Sequence, residues 1–239
     1  ARVRATFSPR PPPPGGLDGD REAELGGERH HLVGGGDRVG GARGPTVLRG
    51  GPREVRGKLV LVTGAGGYLA GYCIEELLAH GYSVRGTMRS PARGAHLETL
   101  AARHGGHVEL VAADLMSDDG WDDAVAGCEF VWHVASPAPV KVPRDEDELI
   151  RPAVDGTLRV LRAAAASGSV RRVVMTSSMD AVMQGQPRRD TPWTRDDWTN
   201  TEHCLPYPKS KTLAERAAWE FVAETPLELV TINPGAVLG

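Results

Sequence analysis

Leu59-Val60-Leu61-Val62-Thr63-Gly64-Ala65-Gly66-Gly67-Tyr68-Leu69-Ala70 reads as a short strand, a glycine-rich turn and the opening of a helix. The strand shows no polar alternation, as expected of one covered on both faces in a parallel sheet. Small residues after it let the chain reverse sharply, let backbone approach a pyrophosphate and let the helix pack on the strand. The helix start turns free N–H groups and its positive dipole end toward that anion. The spacing is Gly64-x-x-Gly67-x-x-Ala70 rather than G-x-G-x-x-G, and a glycine cluster alone is also an ordinary tight turn. Between a strand and a helix it points to a dinucleotide cofactor, held by Gly64, Gly66, Gly67, Tyr68 and Leu69.

Outward from this turn, β-branched runs alternate with Ala/Leu/Glu/Arg-rich stretches of helical period. Strands are expected near 58–63, 82–88, 107–112, 128–135, 170–177 and 227–232, and helices near 67–80, 93–104, 119–126, 148–167 and 207–224. Runs such as Val173-Val174-Met175 are again apolar on both faces. The fold class is therefore α/β, a doubly wound parallel sheet of Rossmann type with helices on both faces.

Residues 1–57 differ. They hold 14 Gly and 7 Pro, with Pro11 to Pro14 consecutive and Phe7 the only aromatic, so they cannot bury a core and are expected to be a disordered extension. One Ser and seven acidic residues argue against a transit peptide, and no secretory apolar region is present. Residues 58–239 form the expected folded unit. The 239-residue chain has net charge -3, which disfavours nucleic acid as a partner, and its apolar runs are too short to span a membrane. Cys73, Cys128 and Cys204 lack disulfide or zinc spacing, which suits a reducing, cytoplasmic setting. No His/Asp/Glu cluster suggests a metal, and His133 reads as a core histidine. Composition does not indicate an oligomeric state.

The second strand bears on the cofactor. A carboxylate about 20 residues past the glycines would accept from an adenosine ribose, whereas Arg suits a 2′-phosphate. Here Thr87-Met88-Arg89-Ser90 has no carboxylate, so NADP is preferred over NAD, with a solvated Arg89 as the alternative. Asp114, before Leu115, either meets an adenine or caps the next turn.

Tyr207 and Lys211 lie four apart at the start of a helix and so share one face. The lysine charge is expected to lower the phenol from its ordinary pKa of about 10, fitting it to deliver a proton, although such a pair also occurs on plain surface helices. Thr176-Ser177-Ser178 places hydroxyls at a strand's carboxyl end, where open α/β sheets bind ligands and where serines also form turns.

These stretches, with Val84 to Arg89, Ala113-Asp114-Leu115, His133 to Pro137, Pro152 to Thr157 and Asn233-Pro234-Gly235, resemble the extended short-chain dehydrogenase/reductases of the NAD-dependent epimerase/dehydratase superfamily. Within it they are most similar to the dihydroflavonol reductase-like aldehyde and ketone reductases. The resemblance covers residues 58–239. It implies a reductase passing hydride from NADPH to a small carbonyl substrate, with Tyr207 as general acid, Lys211 holding the nicotinamide ribose and Ser178, rather than Ser177, polarising the carbonyl. Ala135, Ser136 and Pro234 would line the cofactor. Alternatives are a hydroxysteroid dehydrogenase or sugar-nucleotide epimerase of the same superfamily, or a silent NADP-binding module. The family pattern continues into a region that closes over substrate, so stopping at Gly239 implies a truncated form in which that region is largely missing. The loop 136–146 and the segment 180–206, with Trp193, Trp198 and Cys204, would face the substrate.

Overall fold

The structure, a computed structural model, describes residues 57–137 and 143–237. The expected extension lies, apart from Gly57, outside the described residues, as does much of the loop 136–146. Six strands and five α-helices alternate: β1 (Leu59–Val62), α1 (Tyr68–Ala79), β2 (Ser83–Met88), α2 (Ala95–Arg103), β3 (Val108–Ala112), α3 (Trp121–Val125), β4 (Phe130–His133), α4 (Asp147–Ala166), β5 (Arg172–Thr176), α5 (Pro206–Ala223) and β6 (Glu228–Ile232). Single 3₁₀ turns at Pro91–Arg93 and Met179–Ala181 were not anticipated.

All five strand pairs are parallel, in the order β3-β2-β1-β4-β5-β6. Successive side chains of a strand point to opposite faces, and both faces are filled here. Val60 and Val62 pack with Ile74, Leu77 and Leu97 under α1 and α2. Leu61 and Val131 pack on the other face with Trp121, Val160, Leu161 and Ala218 under α3, α4 and α5.

Helix ends follow local chemistry. α1 stops where Gly81 takes φ +82° and its N–H closes on the Leu78 carbonyl at 2.9 Å. α5 opens with Pro206 in its first turn, where a missing N–H costs nothing. Arg85 Nη1 reaches the carbonyls of Asp123, Ala124 and Ala126, closing the end of α3. The strand order reverses between β1 and β4. In a sheet of this kind the crevice outside the carboxyl ends at that reversal is the ligand position.

Candidate active site

The turn after β1 is shaped by contacts that exclude larger side chains. Gly64 has φ +67°, and a Cβ there would stand 2.9 Å from the Ala135 Cβ; at Gly66 one would meet the Met88 Cε at 2.8 Å. The Gly64 N–H donates to Thr87 Oγ1 at 3.2 Å and Ala65 N–H to the Thr87 carbonyl at 2.8 Å, tying the turn to β2. Gly66, Gly67 and Tyr68 face solvent. No side chain caps α1, and its first turn holds no acid that would repel an anion. A cradle closed to side chains beside an uncapped helix start fits a dinucleotide pyrophosphate.

Thr63 locks the floor of this cradle. Its Oγ1 accepts from the backbone N–H groups of Val134 at 3.1 Å and Ala135 at 3.0 Å and lies 3.0 Å from His133 Nδ1. With both lone pairs engaged, the threonine proton goes to Nδ1, so His133 carries its own proton on Nε2, 3.3 Å from Thr157 Oγ1. Burial, together with the nearby Lys211 charge, presses the His133 pKa down to about 3. His133 is thus the neutral core residue expected.

At the carboxyl end of β5, Ser178 is extended and accepts from the Asp180 N–H at 3.1 Å. The first turn of α5 brings Tyr207 to it. Lys211, one turn later and only 5% exposed, donates to the Thr176 carbonyl at 3.4 Å, with its Nζ 6.0 Å from the Tyr207 ring centre. Burial holds Lys211 down to about 8, against an upward pull from Glu215. The expected lowering of the phenol is not found. Burial raises the Tyr207 pKa, the Asp180 carboxylate adds to the rise, and a hydrogen bond with Ser178 opposes it. Spacing predicts adjacency, but the phenol's loss of hydration and the Asp180 carboxylate set the direction of its shift.

The remaining expected residues line the same edge of the sheet. Arg89 is exposed just past β2. Asp114 accepts the Met116 N–H at 3.0 Å, the turn-capping alternative, and the Leu115 side chain lies against Gly156. Ala135 abuts Gly64, Ser136 follows half-buried, and the Pro234 carbonyl accepts the Met179 N–H at 2.9 Å. In the segment 180–206, Trp193 stacks against Arg189, Trp198 is buried near Arg216, and Cys204 is half-buried. A recess of about 330 Å³ lined by Leu59, Tyr82, Ser83 and His107 lies at the opposite, amino edge, away from all of these groups.

Sequence reasoning missed Thr63, Thr87, Asp180, Glu215 and Asn233. Only Glu215 gave a signal, standing four residues after Lys211 and eight after Tyr207.

The chain is 40% identical over 193 residues to tetraketide alpha-pyrone reductase 1 of Arabidopsis thaliana, covering 78% of this chain and 59% of that protein. It is also 40% identical over 195 residues to cinnamoyl-CoA reductase 1 of Petunia hybrida, covering 78% and 56%. Among solved structures, yeast methylglyoxal/isovaleraldehyde reductase Gre2 complexed with NADPH matches with TM-score 0.67 and 31% identity, covering 76% of this chain and 58% of that one. Vestitone reductase from alfalfa matches with TM-score 0.63 and 32% identity, covering 73% and 56%. The chain therefore spans a little under three fifths of the length of these relatives. The model of the NAD dependent epimerase/dehydratase family matches residues 60–239, from the first strand through the glycine cradle and the Tyr207 helix to the last residue, and the chain belongs to that family.

Proposed function

We propose that this chain is an NADPH-dependent reductase of a small aldehyde or ketone. The observation that carries the reading is the meeting of Ser178, just past the carboxyl end of β5, with Tyr207 and Lys211, on the first two turns of α5, on the same sheet edge as the glycine cradle. Relatives named as reductases, and a structural neighbour named as an NADPH complex, support it.

Gly64, Gly66 and Gly67, with the start of α1, would hold the pyrophosphate, Arg89 the 2′-phosphate, and Lys211 the nicotinamide ribose. Tyr68, Leu69, Asp114, Leu115, Ala135, Ser136 and Pro234 would line the rest of the groove. When bound, NADPH supplies the hydride for the carbonyl carbon. Tyr207 gives its phenolic proton to the carbonyl oxygen, and its raised pKa keeps that proton in place at neutral pH. Ser178 donates to the same oxygen, and the Asp180 N–H fixes its hydroxyl. Residues 58–239 would be the working unit and residues 1–57 an appendage. Three free cysteines support a cytoplasmic setting; among the described residues no helix is long and apolar enough to cross a membrane.

The test is to mix the purified chain with NADPH and a panel of small aldehydes and ketones and follow absorbance of the reduced cofactor. Consumption with at least one carbonyl is expected. Tight NADPH binding without consumption of any would point instead to a silent binding module.

A further inference from the structure

The site rests on a carboxylate that the proposed reaction does not use. Glu215 lies on α5 one turn beyond Lys211 and two beyond Tyr207, so the three share a helix face. It is fully buried, at 0% exposure. Ser177 Oγ at 2.5 Å and Asn233 Nδ2 at 2.9 Å both donate to Oε2, and the Trp219 indole N–H reaches Oε1 at 3.4 Å. Both carboxylate oxygens are thus engaged by donors. Lys211, the enclosed cation one turn earlier, feels an upward pull from this carboxylate.

The same oxygen stands at a joint in the sheet. Asn233 Nδ2 also donates to the Ser178 carbonyl at 3.0 Å, and the Ser177 N–H donates to the Ile232 carbonyl at 2.8 Å. Oε2 therefore connects the hydroxyl-bearing turn after β5 with the end of β6, immediately beneath Ser178.

We propose that Glu215 is the positioning residue of this site: its buried carboxylate clamps Ser177 and Asn233 beneath Ser178 and is the fixed counter-charge that keeps Lys211 an ammonium beside Tyr207. What the positioned groups accomplish rests on the reductase reading; the coupling of Glu215 to Lys211 does not. Glu215 and Tyr207 from its own helix and His133 from β4 act with Lys211, while Asp180, after β5, acts on Tyr207. With Tyr207 and His133 neutral at pH 7, Glu215 supplies the compensating charge.

The chain has four lysines, Lys58, Lys141, Lys209 and Lys211, so labelling lysine at ¹³Cε gives a small set of signals that single Lys→Arg variants assign. The Lys211 signal is expected to titrate near 8 in the unaltered chain and about one pH unit or more lower in Glu215→Gln, which keeps the side chain's shape but not its charge. An unchanged Lys211 titration overturns the proposal. Thermal melts of Lys211→Met, Glu215→Gln and the double variant are a second measurement: the double variant should melt above Lys211→Met alone, because the stranded carboxylate is gone. Losses that simply add overturn it too. If Glu215→Gln does not fold, Glu215→Asp takes its place: the shorter side chain draws the carboxylate away from Lys211, whose titration should move down, and an unchanged Lys211 titration overturns the pairing.

In a preparation that consumes NADPH, the alkaline limb of kcat should move to lower pH in Glu215→Gln together with the Lys211 titration. A uniform rate loss at all pH values would mark Glu215 as merely structural. Intact coupling in a chain that consumes no NADPH would defeat the reductase reading alone, whereas consumption without coupling would defeat the role of Glu215 alone.

Discussion

Thr63 Oγ1 and His133 Nδ1 lie 3.0 Å apart, and this contact joins the end of β1 to the end of β4 at the point where strand order reverses. The threonine also accepts the Val134 and Ala135 N–H groups, so it aligns the backbone that faces Gly64. Thr63→Val keeps the shape and removes the oxygen, leaving two N–H groups and a ring nitrogen short of a partner. A loss of about 1–3 kcal/mol per stranded buried group is expected, read as a lower urea midpoint. A variant as stable as the parent would show that the contact contributes nothing.

The buried imidazole predicts acid sensitivity. The His133 pKa is depressed in the fold, so its contribution is fully present above the unfolded value of 6.5 and is lost progressively as pH falls toward about 3. The loss amounts to about 5 kcal/mol at most, spread over that window. Unfolding free energy measured between pH 7 and 4 should fall with a slope of up to one proton from this group. A His133→Asn variant, whatever its stability at pH 7, should show a shallower slope, and an identical slope would remove His133 from the account.

Gly64→Ala places a Cβ at φ +67° and 2.9 Å from the Ala135 Cβ. The left-handed backbone alone costs about 1–2 kcal/mol. The turn should shift, and NADPH affinity measured by fluorescence titration should fall at least tenfold if the turn carries the pyrophosphate. Unaltered affinity would place the cofactor elsewhere.

Arg89→Asp exchanges a cation at the end of β2 for a carboxylate suited to a ribose hydroxyl. NADPH affinity should drop more than NADH affinity, with the difference shrinking at high salt. An unchanged ratio would mean that Arg89 is a solvated side chain.

The layered order of the fold was legible because its strands are apolar on both faces and its helices keep an Ala/Leu period, as in Leu59 to Val62 and Leu213 to Val222. The neighbouring of Tyr207 and Lys211 was legible from spacing alone. Their electrostatics were not, because desolvation of Tyr207 and the approach of Asp180 depend on how the 180–206 segment folds back: Thr199 Oγ1 donates to the Asp180 carbonyl at 2.6 Å, and Gly185 lies against the Asn200 and His203 backbone. Thr63 and Asn233 were invisible because their partners, 70 and 18 residues away, are brought in only by the parallel crossovers. Glu215 was visible as a four-residue repeat, but a glutamate on a helix usually faces water.

The most direct test compares the chain with its Tyr207→Phe variant, measuring NADPH binding and NADPH oxidation by a carbonyl that the parent reduces. Binding should stay within about twofold, because a phenyl ring preserves the packing. Oxidation should fall about 10²- to 10⁴-fold, the usual contribution of a positioned proton donor. Oxidation at the parental rate by the phenylalanine variant would contradict the assignment of Tyr207 as the acid.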